Sequence, residues 1–379
     1  MQRFPANEII SLMGTAPRYD LAESVGPDVA LADLLAAPGF AETPLGYGTA
    51  EGDPRLRQRI AELHGVRADD VLTTVGGAHA LFLLAFILCG REGEAVAATP
   101  IFPPARDALA AVGAAIHTLP LAFEQGYQPD LPRFRALLSP RIKLVSLASP
   151  QNPSGVAIPA GTLRQMLAEM AEICPDAYLL VDETYREAVY GDAPAAASAL
   201  ALNPRVVSVA SLSKCHGAPG LRLGWAITRD KALRQQLVLG KFNTVISCSQ
   251  VDEALALRVL GARDPILAER RERLAEGLAR VAAWVAENSA LVAWVRPDAG
   301  ALCCVRLQPA AFDDAAVARF YAALPAEDVR VASGAWFGEP ARVFRLGFGL
   351  LARAELDAGL AALTAALRKA ASVEAAIAS

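Results

Sequence analysis

The sequence predicts an α/β fold: a mostly parallel seven-stranded sheet covered by helices on both faces, followed by a smaller α+β unit. Three observations lead there. Between residues 70 and 230, short apolar or β-branched runs alternate with Ala- and Leu-rich segments of helical length, as parallel strands joined by crossover helices require. Pro265 to Asn288 then reads as one long helix, with Arg and Glu interleaved at i,i+4 spacing. The rest of the chain mixes strand-like and helical runs over the length of an ordinary domain.

In chain order, the strands of the large sheet are expected at Val71–Thr74, Ala95–Ala98, Ala115–Leu119, Lys143–Leu147, Tyr178–Val181, Val206–Ala210 and Leu223–Ile227. A strand covered on both faces has no side left for water, which is why these runs are nearly free of charge. Ala193 to Ala201 reads as a loop entering a short helix. After the long helix come a strand at Ala301–Leu307, a helix near Asp313–Leu324, strands near Val329–Ala332 and Val343–Phe348, and a terminal helix from Ala352 to about Lys369, with the tail Ala370–Ser379 expected to fray. The organisation expected is an N-terminal arm with part of the small domain over 1–40, a large ligand-binding domain over 41–270 and a C-terminal small domain over 271–379. The long helix bridges the last two.

Composition narrows the function. The 379 residues carry a net charge of −4 and no Lys/Arg block, so a nucleic-acid-binding face is not expected. The longest apolar run, Ala80 to Cys89, falls well short of the ~18 residues a membrane span needs. Met1 to Ile10 has no apolar stretch of signal-peptide length, which makes the cytoplasm the default location. The six cysteines include no C-x-x-C pair, and no His stands at metal-ligand spacing, so reduced, mostly buried thiols and no metal are expected. The adjacent Cys303 and Cys304 read as core residues on opposite faces of a strand.

Small-molecule chemistry is the better expectation, and it centres on Lys214. The chain has only five lysines among its 36 Lys and Arg residues, and this one lies in a Gly-rich stretch with Ser211, Ser213 and Arg222 around it. An amine nucleophile beside a phosphate cradle suggests a Schiff base with pyridoxal 5'-phosphate, the cofactor that carries both an aldehyde and a phosphate; the bland alternative is a surface lysine in a turn. Four further motifs precede it. Thr74 to His79 links a strand to an apolar helix through Gly76 and Gly77, where free backbone N–H groups can hold a phosphate or simply form a tight turn. Phe102, after the strand at Ala95–Ala98, either covers an aromatic ring or packs in the core. Asn152 in the loop Ser149–Gly155 either bonds a phenolate oxygen or shapes a turn. Asp182, closing the strand Tyr178–Val181, either faces a pyridine nitrogen or caps a helix, and the capping role leaves the neighbouring Tyr185 unexplained.

In that order, over about residues 40 to 350, the set resembles the class I/II aminotransferases of the fold-type I pyridoxal phosphate-dependent enzymes. The resemblance implies that Lys214 joins the cofactor aldehyde, with Lys214, Asp182 and Tyr185 as the catalytic group. It implies that Asp182 pairs with the pyridine nitrogen, that Asn152 and Tyr185 bond the 3'-oxygen, that Phe102 stacks on the ring, and that Gly77, Ala78, Ser211, Ser213 and Arg222 hold the phosphate. Tyr47, in Gly46-Tyr47-Gly48, resembles the tyrosine that reaches the phosphate of a neighbouring subunit, which implies a homodimer with shared active sites. Arg345 and Asn152 would bind substrate, with the Arg345 guanidinium matching an α-carboxylate as a bidentate fork.

The function implied is transfer of an amino group between an L-amino acid and a 2-oxo acid. The alternative is an elimination, or a cyclisation of an arginine-like substrate as in capreomycidine synthase-like enzymes. A third reading, a non-catalytic cofactor-binding module of the kind fused to transcription regulators, calls for a basic helix-turn-helix, and the sequence contains none. Three departures from the family pattern stand out. Ala78 lacks the hydroxyl or amide common in the phosphate turn, so backbone donors must do more there. His216 and Cys215 stand where relatives commonly carry an aromatic and a small residue, and either tune the pocket or pack beside Lys214. The Tyr19–Gly26 segment replaces a Gly-rich one, and its Glu23 meets either a cationic side chain or solvent.

Overall fold

Crossover helices build the sheet that the alternating pattern calls for, with one strand reversed. The computed structural model describes residues 4–35, 39–90 and 93–371. A two-residue strand, β1 (Tyr19–Asp20), comes first; then β2 (Val71–Val75), β3 (Glu94–Thr99), β4 (Ala115–Pro120), β5 (Ile142–Ala148), β6 (Tyr178–Asp182), β7 (Val206–Ser211) and β8 (Leu223–Thr228) form a seven-stranded sheet in the order β2-β8-β7-β6-β5-β3-β4. Only β8 runs against its neighbours, between β2 and β7. Every residue of β7 and β8 is buried, whereas the edge strand β4 is largely open to solvent.

Period-two alternation divides the strand side chains between two cores. Leu179 and Val181 of β6 face one cluster with Val145, Leu56 and Ile60, while Tyr178 and Leu180 face the other with Leu144, Leu83 and Leu84. Helices α1 (Leu31–Leu35), α2 (Pro54–His64), α3 (Gly76–Leu88), α4 (Pro103–Val112), α5 (Leu131–Leu137), α6 (Ala160–Ile173), α7 (Lys231–Val245) and α8 (Gln250–Gly261) surround this sheet. Helix α3 is apolar nearly all round because it is enclosed between the sheet, α4 and α7.

A third core lies under the long helix α9 (Arg263–Glu287), between α10 (Asp314–Ala323), α11 (Arg353–Ala370) and an antiparallel sheet. That sheet comprises β9 (Val292–Val295), β10 (Leu302–Leu307), β12 (Ala332–Ser333) and β13 (Val343–Gly347), in the order β12-β13-β10-β9. Cys303 and Cys304 point to opposite faces of β10, the first into this core and the second into a core of the large sheet. All six cysteines are buried and unpaired.

Four local expectations change. The run expected as one strand over Val329–Ala332 divides into β11 (Val329–Arg330), which pairs in parallel with β1, and β12, which pairs with β13; Asp20 accepts from Arg330 Nε at 3.1 Å and holds the first half out of the second sheet. The arginines of α9 do not pair with glutamates one turn away. Arg263 binds Glu187, Arg273 donates to the carbonyls of Gly349, Leu350 and Leu351, and Arg280 pairs with Asp357, so charges on one helix clasp the chain on either side of it. Helix α3 starts at Gly76, not at Ala80, because the glycines form its first turn. Ala370, expected to fray, is helical and buried; residues 372–379 of that tail lie outside the described residues.

Candidate active site

Five strands of the large sheet bring the expected site residues to one edge. β2 ends into Gly76–Ala78, β3 into Phe102, β5 into Asn152, β6 on Asp182 and β7 on Ser211, all at the carboxyl ends of parallel strands, where crossover loops leave backbone groups unpaired. The reversed β8 begins at the same edge, so Arg222 just before it joins them. Ladder partners keep the group in register: Ala148 stands opposite Asp182, Asp182 opposite Val209, and Ser211 opposite Gly224.

One end of this group is an anion cradle. Helix α3 starts without a side-chain cap, so first-turn N–H groups and the positive end of the helix dipole face outward at Gly77 and Ala78. Gly76 has φ +70°, and a Cβ there would come within 2.4 Å of Arg222 Nη2, so only glycine lets the guanidinium close over the helix start. Arg222 donates to Pro219 O at 2.8 Å and forms no ion pair among the described residues. Ser211 Oγ accepts from Ser213 N at 3.3 Å, which sets both serines beside Lys214. An uncapped helix start, a guanidinium outside any ion pair and two hydroxyls are the donors a phosphate needs, and no carboxylate among the described residues satisfies them.

At the other end, Lys214 Nζ donates to Ser24 Oγ at 3.3 Å, and the same oxygen accepts from Tyr185 Oη at 2.9 Å. Burial of the amine, with Arg345 adding to it, lowers the Lys214 pKa to about 8, although Glu23 pulls the other way. Burial pushes Asp182 up from the usual carboxylate range against the Thr184 N–H, which donates to Asp182 Oδ1 at 3.0 Å. Burial likewise raises the Tyr185 phenol. Arg345, only 1% exposed, donates from Nη1 to Asn152 Oδ1 at 2.9 Å and from Nη2 to Ala22 O at 2.6 Å, with its Cζ 4.8 Å from the Phe337 ring centre. Its buried Nε has no hydrogen-bond partner among the described residues. A desolvated guanidinium with a donor to spare is suited to a carboxylate.

The residues expected in the site therefore lie in three settings. Lys214, Tyr185, Asn152 and Arg345 are linked by hydrogen bonds through Ser24 or to one another; Gly77, Ala78, Ser211, Ser213, Arg222, Asp182 and Phe102 lie on the same sheet edge. Tyr47 stands apart, its side chain 85% exposed. Cys215 is buried with its thiol 3.0 Å from Thr184 O, and burial pushes that thiol up to about 12, which makes it a poor nucleophile. His216 is buried 3.4 Å from Glu187. Burial would raise the Glu187 carboxyl, but His216 and Arg263 prevail and hold it below the usual range.

Sequence reasoning passed over Ser24 and Ala22. Both lie in the Tyr19–Gly26 segment noted as a departure, and nothing in their local pattern marks them, since each acquires its role from a partner far along the chain.

The donor set has the composition that pyridoxal phosphate requires: an anion cradle, a primary amine with a lowered pKa and a carboxylate on one sheet edge. Comparison with known proteins agrees. A family model described as aminotransferase class I and II matches residues 21–363. The chain is 32% identical to capreomycidine synthase of Streptomyces vinaceus over 84% of its length and 79% of that protein. It is 29% identical to the arginine–pyruvate transaminase AruH of Pseudomonas aeruginosa over 82% and 79%. Among solved structures, the pyridoxal phosphate-dependent cyclase OrfR superposes with a TM-score of 0.86 at 26% identity, covering 96% of this chain and 97% of that one.

Proposed function

The chain belongs to the class I and II aminotransferase family, whose cofactor is pyridoxal 5'-phosphate, and on that premise we propose that it transfers an amino group between an L-amino acid and a 2-oxo acid. The observation that carries this reading is Lys214, a half-buried primary amine whose pKa is lowered to about 8, held by Ser24, which also accepts from Tyr185.

In this reading Gly77 and Ala78 at the start of α3, with Ser211, Ser213 and Arg222, hold the cofactor phosphate. Phe102 covers one ring face, Asn152 and Tyr185 bond the 3'-oxygen, and Asp182 pairs with the pyridine nitrogen. When bound, the cofactor supplies an aldehyde for amine exchange and a ring that takes up the electrons released at Cα. Arg345 receives the substrate α-carboxylate with its free Nε and adjacent fork, and Asn152 Oδ1 keeps the guanidinium plane in place. Lys214 Nζ takes the proton from the substrate Cα, acting as a general base whose pKa lies close to the working pH. Ser24 Oγ and the Tyr185 hydroxyl hold the amine between transfers. Tyr47 reaches the phosphate held by a second copy of the chain, so the enzyme works as a homodimer.

Initial rates against both substrates are expected to give the parallel lines of a ping-pong reaction, and Lys214→Ala to abolish turnover. An active Lys214→Ala variant removes the lysine from the chemistry. A second reading, elimination or cyclisation of an amino acid, is supported by the similarity to capreomycidine synthase and to the cyclase OrfR. More than one equivalent of product per site formed from an amino acid with no oxo acid present decides for it.

A further inference from the structure

Residues 20–26 cross the site as an irregular strap that is pinned at nearly every position. Asp20 pairs with Arg330, Leu21 O accepts from Gly347 N at 2.7 Å, Ala22 O accepts from Arg345, and Ser24 Oγ accepts from Lys214 and Tyr185. Glu23 stands between the last two. Its own carbonyl lies flat on Gly347, where a Cβ would come within 1.8 Å of it. The backbone that carries the Glu23 side chain is therefore fixed on both sides of the residue.

The carboxylate on that backbone has no task in the reaction described above. Glu23 is half-buried and forms no hydrogen bond or ion pair among the described residues. Ala22 and Ser24 on either side of it bond Arg345 and Lys214, so Glu23 lies on the strap between the contacts to the two cations, and its charge acts on both. Neither cation closes on it, because Lys214 is bonded to Ser24, and Arg345 to Asn152 and Ala22. A carboxylate partly withdrawn from water and left without a partner is a cost to the folded protein. A cation brought in with the substrate offsets that cost, since an ionised pair sheltered from solvent attracts more strongly than one in water.

We propose that Glu23 is the specificity residue for the amino donor, and that the donor is an amino acid whose side chain ends in a guanidinium or an ammonium group. The assignment rests on the reading of Arg345 as the α-carboxylate receptor and Lys214 as the group at Cα, which leaves the donor side chain to run along the strap. Asp28, the next acid along the chain, is exposed and also acts on Arg270, so it serves as the control.

The holoenzyme is tested with two isosteric pairs, L-arginine against L-citrulline and L-lysine against L-norleucine. The wild-type protein is expected to favour the charged member of each pair by at least about tenfold in kcat/KM, roughly the contribution of one charge-assisted hydrogen bond. Glu23→Gln abolishes that preference through KM, so that arginine and citrulline are used alike, and an unchanged urea-unfolding midpoint reports its intact fold; Asp28→Asn keeps the preference. Equal use of charged and neutral donors by the wild-type protein overturns the assignment, and so does a preference that survives Glu23→Gln. If no amino acid turns over, the reaction reading fails by itself, and calorimetric titration of the Lys214→Ala protein decides on Glu23. Tighter binding of arginine than of citrulline supports it, and equal or absent binding of the two overturns it.

Discussion

Lys214 illustrates how much of one residue's chemistry its surroundings determine. Burial, and Arg345 after it, bring the amine from the ordinary lysine value of 10.5 to about 8. The sign follows directly: below pH 8 the amine holds its proton and cannot attack an aldehyde, and above it the neutral form predominates. The rate at which the apoprotein captures pyridoxal phosphate is therefore expected to rise about tenfold per pH unit up to roughly pH 8 and then level off. An exposed lysine would keep rising toward 10.5. Stopped-flow absorbance across pH 6–10, with the bond reduced by borohydride and mapped to Lys214 by mass spectrometry, measures both the plateau and the residue. Cys215, although adjacent, is a buried thiol with a raised pKa, and it is expected to contribute packing and no nucleophile.

Among the elements, the strap before α1 and strand β13 depend on each other. Gly347 ends β13 opposite Leu302 and lies under the Glu23 carbonyl, so a methyl group there meets backbone and cannot be relieved by a side-chain rotation. Gly347→Ala is expected to cost about 1 to 3 kcal/mol, the range for overpacking in a close-packed interior, measured by urea unfolding. The same shift moves Ala22 and Ser24 away from Arg345 and Lys214, so KM for the amino donor is expected to rise more than kcat falls. Unchanged stability and kinetics would show that the strap moves freely. The strands of the large sheet were legible because each is a short apolar run bounded by turn residues. β9 was not, because the apolar run Leu291–Val295 follows α9 after only Asn288, Ser289 and Ala290, and the helix closes where Asn288 donates to Trp284 O.

For the whole molecule, assembly turns on Tyr47. Its side chain is 85% exposed, and Leu45 beside it is 87% exposed. Large apolar side chains are also open on α7 and just after it, at Leu239, Phe242, Val245 and Ile246. Exposed groups of this size usually mark contact surfaces. If Tyr47 completes the site of a second copy, two defective proteins repair each other. Tyr47→Ala and Lys214→Ala, each weak or inactive alone, are expected to regain up to about a quarter of the wild-type activity after subunit exchange, because random pairing makes half the dimers hybrid and each hybrid has one intact site. Activity that stays at the sum of the two parents excludes a shared site.

The sequence by itself determined the α/β architecture, the positions of the seven strands and the residues just beyond them, from Gly77 and Asn152 to Asp182, Ser211 and Lys214. Strand ends, turns and helix starts are local events, and their chemistry lies within a few residues of the pattern that creates them. Tertiary structure alone decided that Ser24 bridges Lys214 to Tyr185, that Ala22 meets Arg345, and that Glu23, between those two on the strap, forms no hydrogen bond or ion pair among the described residues. Those contacts join segments separated by most of the chain. No periodicity records them, because they arise only when the strap is fastened across the sheet edge by Arg330, Gly347 and the buried guanidinium of Arg345.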